Sequence, residues 1–138
     1  MKIVEIGGGY GGLATIINTH FNLKDYCNID LEWPAKLSKL YTSSLNVQPF
    51  RIRECDNIDD FENIDLVISN YAFSECNLQT REEYIKKILS KSKRGYITHN
   101  GDDKRRNETK NFIKKYENFQ IFYKDGIKQH PVFTWGQK

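Results

Sequence analysis

The chain has 138 residues, which is a length typical of one domain large enough to bury a core. Hydrophobic residues make up 38% of it and aromatic residues 13%, which excludes a disordered polymer, and no apolar run approaches the roughly 20 residues of a membrane helix. The net charge of +3 is unevenly spread, because residues 1–80 hold 6 Lys/Arg against 11 Asp/Glu and residues 81–138 hold 15 against 7.

Strands and helices alternate along the chain. Short apolar or alternating runs predict seven strands, at 2–6, 26–31, 47–53, 65–70, 95–99, 119–123 and 132–135. Apolar residues at helical spacing predict four helices, at 10–21, 33–45, 80–92 and 103–116. In the second helix Leu37, Leu40 and Tyr41 share one face, and in the third Thr80 and Glu83 form a capping box. The acidic stretch 56–63 is predicted to be a loop or a short helical turn.

This alternation predicts an α/β fold with one doubly wound, mostly parallel seven-stranded sheet. No helix is predicted between the last two strands, so we expect them to form an antiparallel pair at the C-terminal end of the chain. We expect a single domain over 1–138, minimal in size and without an N-terminal accessory segment, because the most informative motif begins at residue 5.

The strongest motif is the glycine-rich turn between the first strand and the first helix, with glycines at 7, 8, 9, 11 and 12. Glycines there let a ligand approach the backbone, and the start of the helix offers free N–H donors. Two registers fit the motif. The dinucleotide-binding pattern G-x-G-x-x-G uses the glycines at 7, 9 and 12. The alternative pattern, acid-x-G-x-G-x-G, begins with Glu5 and uses the glycines at 7, 9 and 11. A carboxylate in that position suits a positively charged amino group better than a pyrophosphate.

Asp30 ends the second predicted strand, about 23 residues after Gly7. A carboxylate at this strand end can accept both ribose hydroxyls of S-adenosylmethionine (SAM) or of NAD, so it indicates nucleoside binding without separating the two. Length favours SAM, because an NAD dehydrogenase needs a second half of the sheet and a catalytic domain. A dinucleotide-binding domain is the weaker alternative.

Three blocks of the sequence resemble the sugar O-methyltransferases, a family within the class I, Rossmann-like SAM-dependent methyltransferases. They are VEIGGGYGGLA (Val4–Ala14), CNIDLEW (Cys27–Trp33) and LVISNYAFSE (Leu66–Glu75). The resemblance covers residues 3 to about 100. It implies methyl transfer from SAM, with S-adenosylhomocysteine (SAH) as product, to a hydroxyl of a sugar or nucleotide sugar in glycan or polysaccharide synthesis.

The resemblance also implies positions for the cofactor. Glu5 and the glycine loop, with Gly7, Gly8, Gly9 and Gly11, would hold the methionine end. Asp30 would hold the ribose, Asp56 would lie near the adenine amino group, and Asn70 would line the cleft.

Two residues are candidates for the general base that an alcohol acceptor requires. Glu75 follows the fourth strand, and His99 ends the fifth. Tyr71 and Asp102 are candidate substrate-binding residues, because an aromatic face packs on a sugar and Asp102 lies beside the predicted strand end. A divalent metal held by Glu75 with Asp102 or Asp103 is an open but not favoured alternative, so we assign no metal site.

Other functions stay open. The basic second half fits either solvated helix faces or a wall facing RNA or another anionic polymer, and we do not favour a nucleic-acid partner. The chain can also be a SAM-binding module that is inactive alone or needs a partner, and a homo-oligomer is equally open. Three cysteines without C-x-x-C spacing and the absence of a signal-peptide pattern predict a cytoplasmic protein without membrane contact.

Overall fold

A computed structural model describes residues 1–55, 58, 61–116, 118–123 and 130–136. These residues form one seven-stranded sheet with helices on both faces. The strands are β1 (Lys2–Ile6), β2 (Asp25–Asp30), β3 (Arg51–Glu54), β4 (Leu66–Asn70), β5 (Arg94–Thr98), β6 (Gln120–Tyr123) and β7 (Pro131–Gly136). The helices are α1 (Gly12–His20), α2 (Glu32–Ser44), α3 (Ala72–Glu75), α4 (Leu78–Lys87) and α5 (Asp103–Ile113), with a 3₁₀ turn at Leu89–Lys91.

The strand order is β3, β2, β1, β4, β5, β7, β6. Strands β1 to β5 are mutually parallel, whereas β7 runs antiparallel to both β5 and β6. The predicted fold class, with its terminal antiparallel pair, is therefore confirmed. The order reverses between β1 and β4, and a doubly wound sheet binds its ligand in the crevice at such a point, outside the carboxyl ends of the strands.

The core lies on both faces of the central strands. Four of the five residues of β1 are buried, as are four of the six residues of β2. Strands covered on both faces need apolar side chains at successive positions, which explains the continuous runs in the sequence. The larger core cluster lies under α4 and α5, and the smaller one lies under α1.

The apolar face predicted for α2, with Leu37, Leu40 and Tyr41, is not the face that the helix buries, and Tyr41 is half-buried. Leu37 and Leu40 are exposed, at 55% and 71%, and the residues that α2 buries are small: Ala35, Ser38 and Thr42. The reason is steric, because a Cβ added at Gly11 would lie 2.8 Å from both Ser38 Oγ and Thr42 Cγ2. The start of α1 approaches α2 so closely that large side chains do not fit between them.

The predicted start of α4 is also wrong. Asn77, and not Thr80, is the N-cap residue, because its side-chain oxygen accepts the Thr80 N–H at 2.9 Å. The helix ends at Lys87, followed by the 3₁₀ turn, rather than continuing to residue 92. The short helix α3 was not predicted, since four residues are too few to show a periodicity.

Strand β3 is shorter than the predicted 47–53. Pro49 lies in the missing part, and a proline has no N–H to contribute to the ladder. The predicted loop at 56–63 lies partly outside the described residues. Among the residues that the structure describes, no helix is long and apolar enough to cross a membrane.

The contact between β5 and β7 gives a test of the packing. Gly95 is paired with Trp135, and a Cβ added at Gly95 would lie 2.0 Å from the indole ring. We expect Gly95→Ala to lower the free energy of unfolding by about 1–3 kcal/mol, measured by urea denaturation, because the ring cannot be displaced without strain. Gly136→Ala in the neighbouring strand is the control, since its nearest neighbour would be Arg94 Cγ at 3.5 Å. Equal stability of the two variants would contradict this packing.

Candidate functional site

A cavity of about 420 Å³ opens at the carboxyl ends of β1, β2 and β3, beside α3 and α4. We call it the cleft. It is lined by Ile6, Gly7, Ile29, Asp30, Leu31, Cys55, Ala72, Glu75, Cys76, Asn77, Thr80 and Tyr84. The cleft therefore brings together the first residue of the glycine loop, the acid that ends β2 and the residues that follow β4.

A larger cavity, of about 630 Å³, lies between α2 and the edge strand β3. Its lining includes Lys36, Lys39 and Arg53 but neither the glycine loop nor Asp30. We place the candidate site in the smaller cleft, because the first residue of the glycine loop and the strand-end groups converge there, as in the ligand sites of doubly wound sheets.

The glycine loop is a close-fitting turn on one side and open on the other. Gly7 has a φ of +77°, and a Cβ there would lie 2.1 Å from Ala72 Cβ. Gly9 has a φ of +57°, but no heavy atom lies within 4 Å of where its Cβ would be. Gly7 is thus required by packing within the chain, whereas the space at Gly9 is available to a ligand.

Two side chains of β2 hold this loop in place. Asn28 Oδ1 accepts the Gly8 N–H at 2.9 Å, and Asp30 Oδ2 accepts the Gly9 N–H at 2.8 Å. The other carboxylate oxygen of Asp30 accepts the N–H of Leu31 at 2.8 Å. Asn28 and Asp30 project to the same face of the strand, because side chains alternate along it. The sequence analysis singled out Asp30 but not Asn28.

Glu5 lies beneath the loop rather than in the cleft. It is only 2% exposed, and its Oε2 accepts a hydrogen bond of 2.6 Å from the Tyr26 hydroxyl. Burial raises the pKa of this carboxyl, the Tyr26 hydrogen bond opposes that rise, and the charge of Asp30 adds to it. A Cβ at Gly8 would lie 2.6 Å from the same oxygen, so Glu5 packs directly under the loop.

The end of β4 carries an unusual backbone. Asn70 is exposed at the strand end, and Tyr71 has a φ of +69°, which non-glycine residues rarely adopt. The Tyr71 N–H donates to both the carbonyl oxygen and the hydroxyl of Thr98, at 3.2 and 3.0 Å. These bonds fix the strained residue at the rim, where its ring is 42% exposed.

Glu75 is held by a polar network at the rim. Its Oε1 accepts from Asn100 Nδ2 at 2.8 Å, while Asn100 Oδ1 accepts from the Ser74 hydroxyl at 2.5 Å. Arg105 donates to the Ser74 carbonyl at 3.0 Å, which links α3 to α5. Glu75 is exposed and lines the cleft, so its carboxylate is oriented by neighbours and still accessible.

His99 is placed differently from Glu75. Its side chain is fully buried, packs edge-on against Phe133, and accepts the Gly101 N–H at Nδ1. Among the described residues, its Nε2 has no hydrogen-bond partner. Burial, with the charges of Arg106 and Arg81, lowers its pKa from 6.5 to about 4. Such a neutral, enclosed ring is positioned for packing, and its role as a base stays a prediction.

Two further predicted site residues have different positions. Asp102 is exposed and is the N-cap residue of α5, where the Arg105 N–H lowers the pKa of its carboxyl. One carboxylate oxygen of Asp102 is therefore already occupied by a backbone N–H in the first turn of α5. Asp56 lies outside the described residues, so its predicted position near adenine has no structural counterpart here.

His130 is a rim residue to which the sequence assigns only a structural role. It is exposed and lies edge-on against Tyr71, with ring centroids 5.9 Å apart. Because β7 is antiparallel, its first residues return to the edge of the sheet at which β4 ends. No local signal marks His130, since only the pairing of β7 brings it to the rim.

The lysines at the ends of α4 and α5 lie at the edge of the sheet away from the cleft. Helices that follow parallel strands run back across the sheet, so their last turns lie at the opposite edge. Lys86 and Lys87 end α4, and Lys114 follows α5. These three lysines are therefore not part of a basic wall at the cleft, whereas Arg105 in the first turn of α5 contacts the Ser74 carbonyl beside it. Among the described residues, no cluster of three or more His, Cys, Asp or Glu is arranged to hold a metal ion.

Comparison with known proteins identifies the fold of the chain and nothing finer. No protein-family model and no curated protein matches the sequence. A candidate O-methyltransferase from Nostoc punctiforme has a TM-score of 0.72 at 12% identity, over 99% of this chain and 51% of that one. TrmK of M. capricolum, in complex with SAH, has a TM-score of 0.67 at 14% identity, over 100% of this chain and 62% of that one. A methyltransferase from Pyrococcus furiosus has a TM-score of 0.70 at 14% identity, over 99% of this chain and 75% of that one.

The chain therefore has the Rossmann-like fold of the class I SAM-dependent methyltransferases, as predicted. It spans about half the length of the Nostoc protein and 62% of TrmK. None of these three proteins is named as a sugar O-methyltransferase. The cofactor, acceptor and partners of this chain are therefore matters for proposal.

The burial of His99 predicts a pH dependence of stability. Between pH 6.5 and about 4 the unfolded chain binds a proton at this ring that the folded chain does not. The free energy of unfolding should therefore fall as the pH drops through this range, by up to about 3 kcal/mol.

Urea denaturation of wild type and His99→Gln at several pH values measures this effect. The variant should lose the part of the pH dependence due to His99, while contributions of other groups, including Glu5, cancel in the comparison. His20→Gln is the control, because His20 is exposed. The same pH dependence in wild type and His99→Gln would contradict the burial of a neutral imidazole.

Proposed function

We propose that this chain is a SAM-dependent methyltransferase that transfers a methyl group to a hydroxyl of a sugar or nucleotide sugar. The observation that carries the proposal is the cleft, in which the glycine loop and Asp30 meet at the reversal of strand order. Support for the cofactor comes from proteins of the same fold crystallised with SAH, and support for the acceptor comes from the sequence resemblance.

The glycine loop and the residues of the cleft fit SAM. The open space at Gly9 admits a ligand against the backbone, where a side chain would block it. Asp30 accepts one N–H at each carboxylate oxygen, and each oxygen retains a lone pair for a ribose hydroxyl. Leu31 and Cys55 supply apolar surface beside Asp30 for an adenine ring.

Glu5 has a positioning role in this proposal. Its buried carboxylate supports the loop at Gly8 and is itself held by Tyr26. The carboxylate lies beneath the backbone, so any attraction for the ammonium group of the methionine end acts through the loop and not by direct contact. This differs from the direct pairing expected from the sequence.

Bound SAM supplies a methyl group on a sulfonium, which is already a good leaving group. The protein must therefore orient the acceptor hydroxyl and remove its proton. We assign proton removal to Glu75, which lines the cleft and is exposed. Asn100 fixes one carboxylate oxygen, so the other is directed to solvent or to an acceptor.

The acceptor is proposed to lie at the rim beside Tyr71. The Tyr71 and His130 rings form an exposed edge-to-face pair, and an aromatic face packs well on the apolar face of a sugar ring. The strained backbone of Tyr71 supports a functional role, because strain of this kind is concentrated at functional sites.

Asp30→Ala tests the cofactor site. We expect SAH affinity, measured by calorimetry, to fall by about 10–100-fold, because a charged acceptor for the ribose and the support of Gly9 are both lost. Asp25→Ala is the matched control. Asp25 begins the same strand at the opposite edge and pairs with Arg51, so the change should leave SAH affinity within about twofold.

A chain that binds neither SAM nor SAH would contradict the proposed function. Equal loss of affinity in both variants would contradict the specific role of Asp30.

Glu75→Gln tests the base. Single-turnover methyl transfer to a panel of nucleotide sugars should slow by about 10²–10⁴-fold, because the amide cannot accept the proton. Glu83→Gln, an exposed change on α4, is the control. Retention of the wild-type rate in Glu75→Gln, with loss in His130→Ala, would reassign the base to His130. A wild-type chain that binds SAM but methylates no acceptor would favour a module that needs a partner.

A further inference from the structure

The three cysteines of the chain differ in accessibility. Cys27 lies on β2 and is fully buried, with 0% of its surface exposed. Cys55 and Cys76 are half-buried, and both line the cleft. The two accessible thiols therefore lie in the cavity where the cofactor is proposed to bind, while the third is enclosed in the core.

Each cleft thiol adjoins a residue of the proposed cofactor site. Cys55 follows β3 directly, and its N–H donates to the Asp30 carbonyl at 3.0 Å. Cys76 is the C-cap residue of α3, and its Sγ donates to the carbonyl of Ala72 at 3.3 Å. Ala72 is the residue against which Gly7 packs. The thiols thus enter the cleft from different elements, one on the ribose side and one on the side of the glycine loop.

Burial raises the pKa of the Cys76 thiol, and the charge that Cys55 carries when ionised raises it further. The thiolate of Cys76, which is the nucleophile, therefore forms more readily at alkaline pH. A group attached to either sulfur would occupy space in a cavity of about 420 Å³ that the cofactor needs.

We propose that Cys55 and Cys76 form a covalent modification site for soft electrophiles of the α,β-unsaturated carbonyl class, and that modification and nucleoside binding exclude each other. This inference rests on the proposed function, because it requires the cleft to be the cofactor site. In the reaction the S–H bond breaks, the sulfur bonds to the β-carbon of the electrophile, and the proton passes to its α-carbon. The addition needs no oxidant or reductant.

The test uses the intact chain and N-ethylmaleimide as the probe, with modified cysteines located by peptide mapping. We expect adducts at Cys55 and Cys76 and none at Cys27 in the folded chain, and adducts at all three in denaturant. A saturating concentration of SAH, with its occupancy shown by calorimetry on the same sample, should slow the labelling of both cleft cysteines by about tenfold or more.

The converse measurement asks whether modification blocks binding. The maleimide-modified chain should bind SAH about tenfold more weakly, or weaker still, while its circular dichroism stays that of the folded protein. Methyl methanethiosulfonate, which attaches a small group that dithiothreitol removes, should weaken binding less, and reduction should restore it. Cys55→Ser and Cys76→Ser should each lose one adduct, which shows the contribution of each thiol to the block.

Two results would overturn the inference while leaving the proposed function intact. One is unslowed labelling of both thiols in a chain whose SAH occupancy is established, and the other is unchanged SAH affinity of the fully modified, folded chain. A chain that binds no SAH before treatment would contradict the proposed function and this inference together.

Discussion

The close approach of the turn after β1 to the chain after β4 is the constraint on which the site depends. A Cβ at Gly7 would lie 2.1 Å from that of Ala72, so only glycine permits this contact. Ser69 ties the same two strand ends together, because its hydroxyl donates to the Ile6 carbonyl and accepts the Phe73 N–H, both at 3.0 Å. With these ends joined, the glycine loop and α3 become two walls of one cleft.

The same turn also determines how the neighbouring elements pack. Gly11 begins α1 against Ser38 and Thr42, so α2 turns its small residues inward and leaves large apolar side chains in solvent. Strand β2 then supplies Asn28 and Asp30 to the loop from the other side. The backbone of the loop is therefore held before any ligand binds, which lowers the cost of ordering it on binding.

His99 and His130 show that a local sequence pattern does not predict whether a side chain is accessible. His99 ends a strand and is a candidate base on that pattern, yet its ring is buried and packs edge-on against Phe133 of β7. His130 had no pattern around it, yet the antiparallel return of β7 brings it beside Tyr71. Accessibility at a rim is decided by which face a helix or a neighbouring strand covers, and local sequence does not contain that information.

The sequence by itself determined the order of the seven strands and of four of the five helices, the glycine loop and the acid at the end of β2. These are local properties, because apolar periodicity and the conformational freedom of glycine depend on the residues themselves and their spacing. Only the tertiary structure decided that Glu5 lies under the loop, that Asn28 holds Gly8, that α2 buries small residues and that two of three thiols line the cleft. Each of these depends on contacts between residues distant in the chain, and those contacts exist only once the sheet has formed.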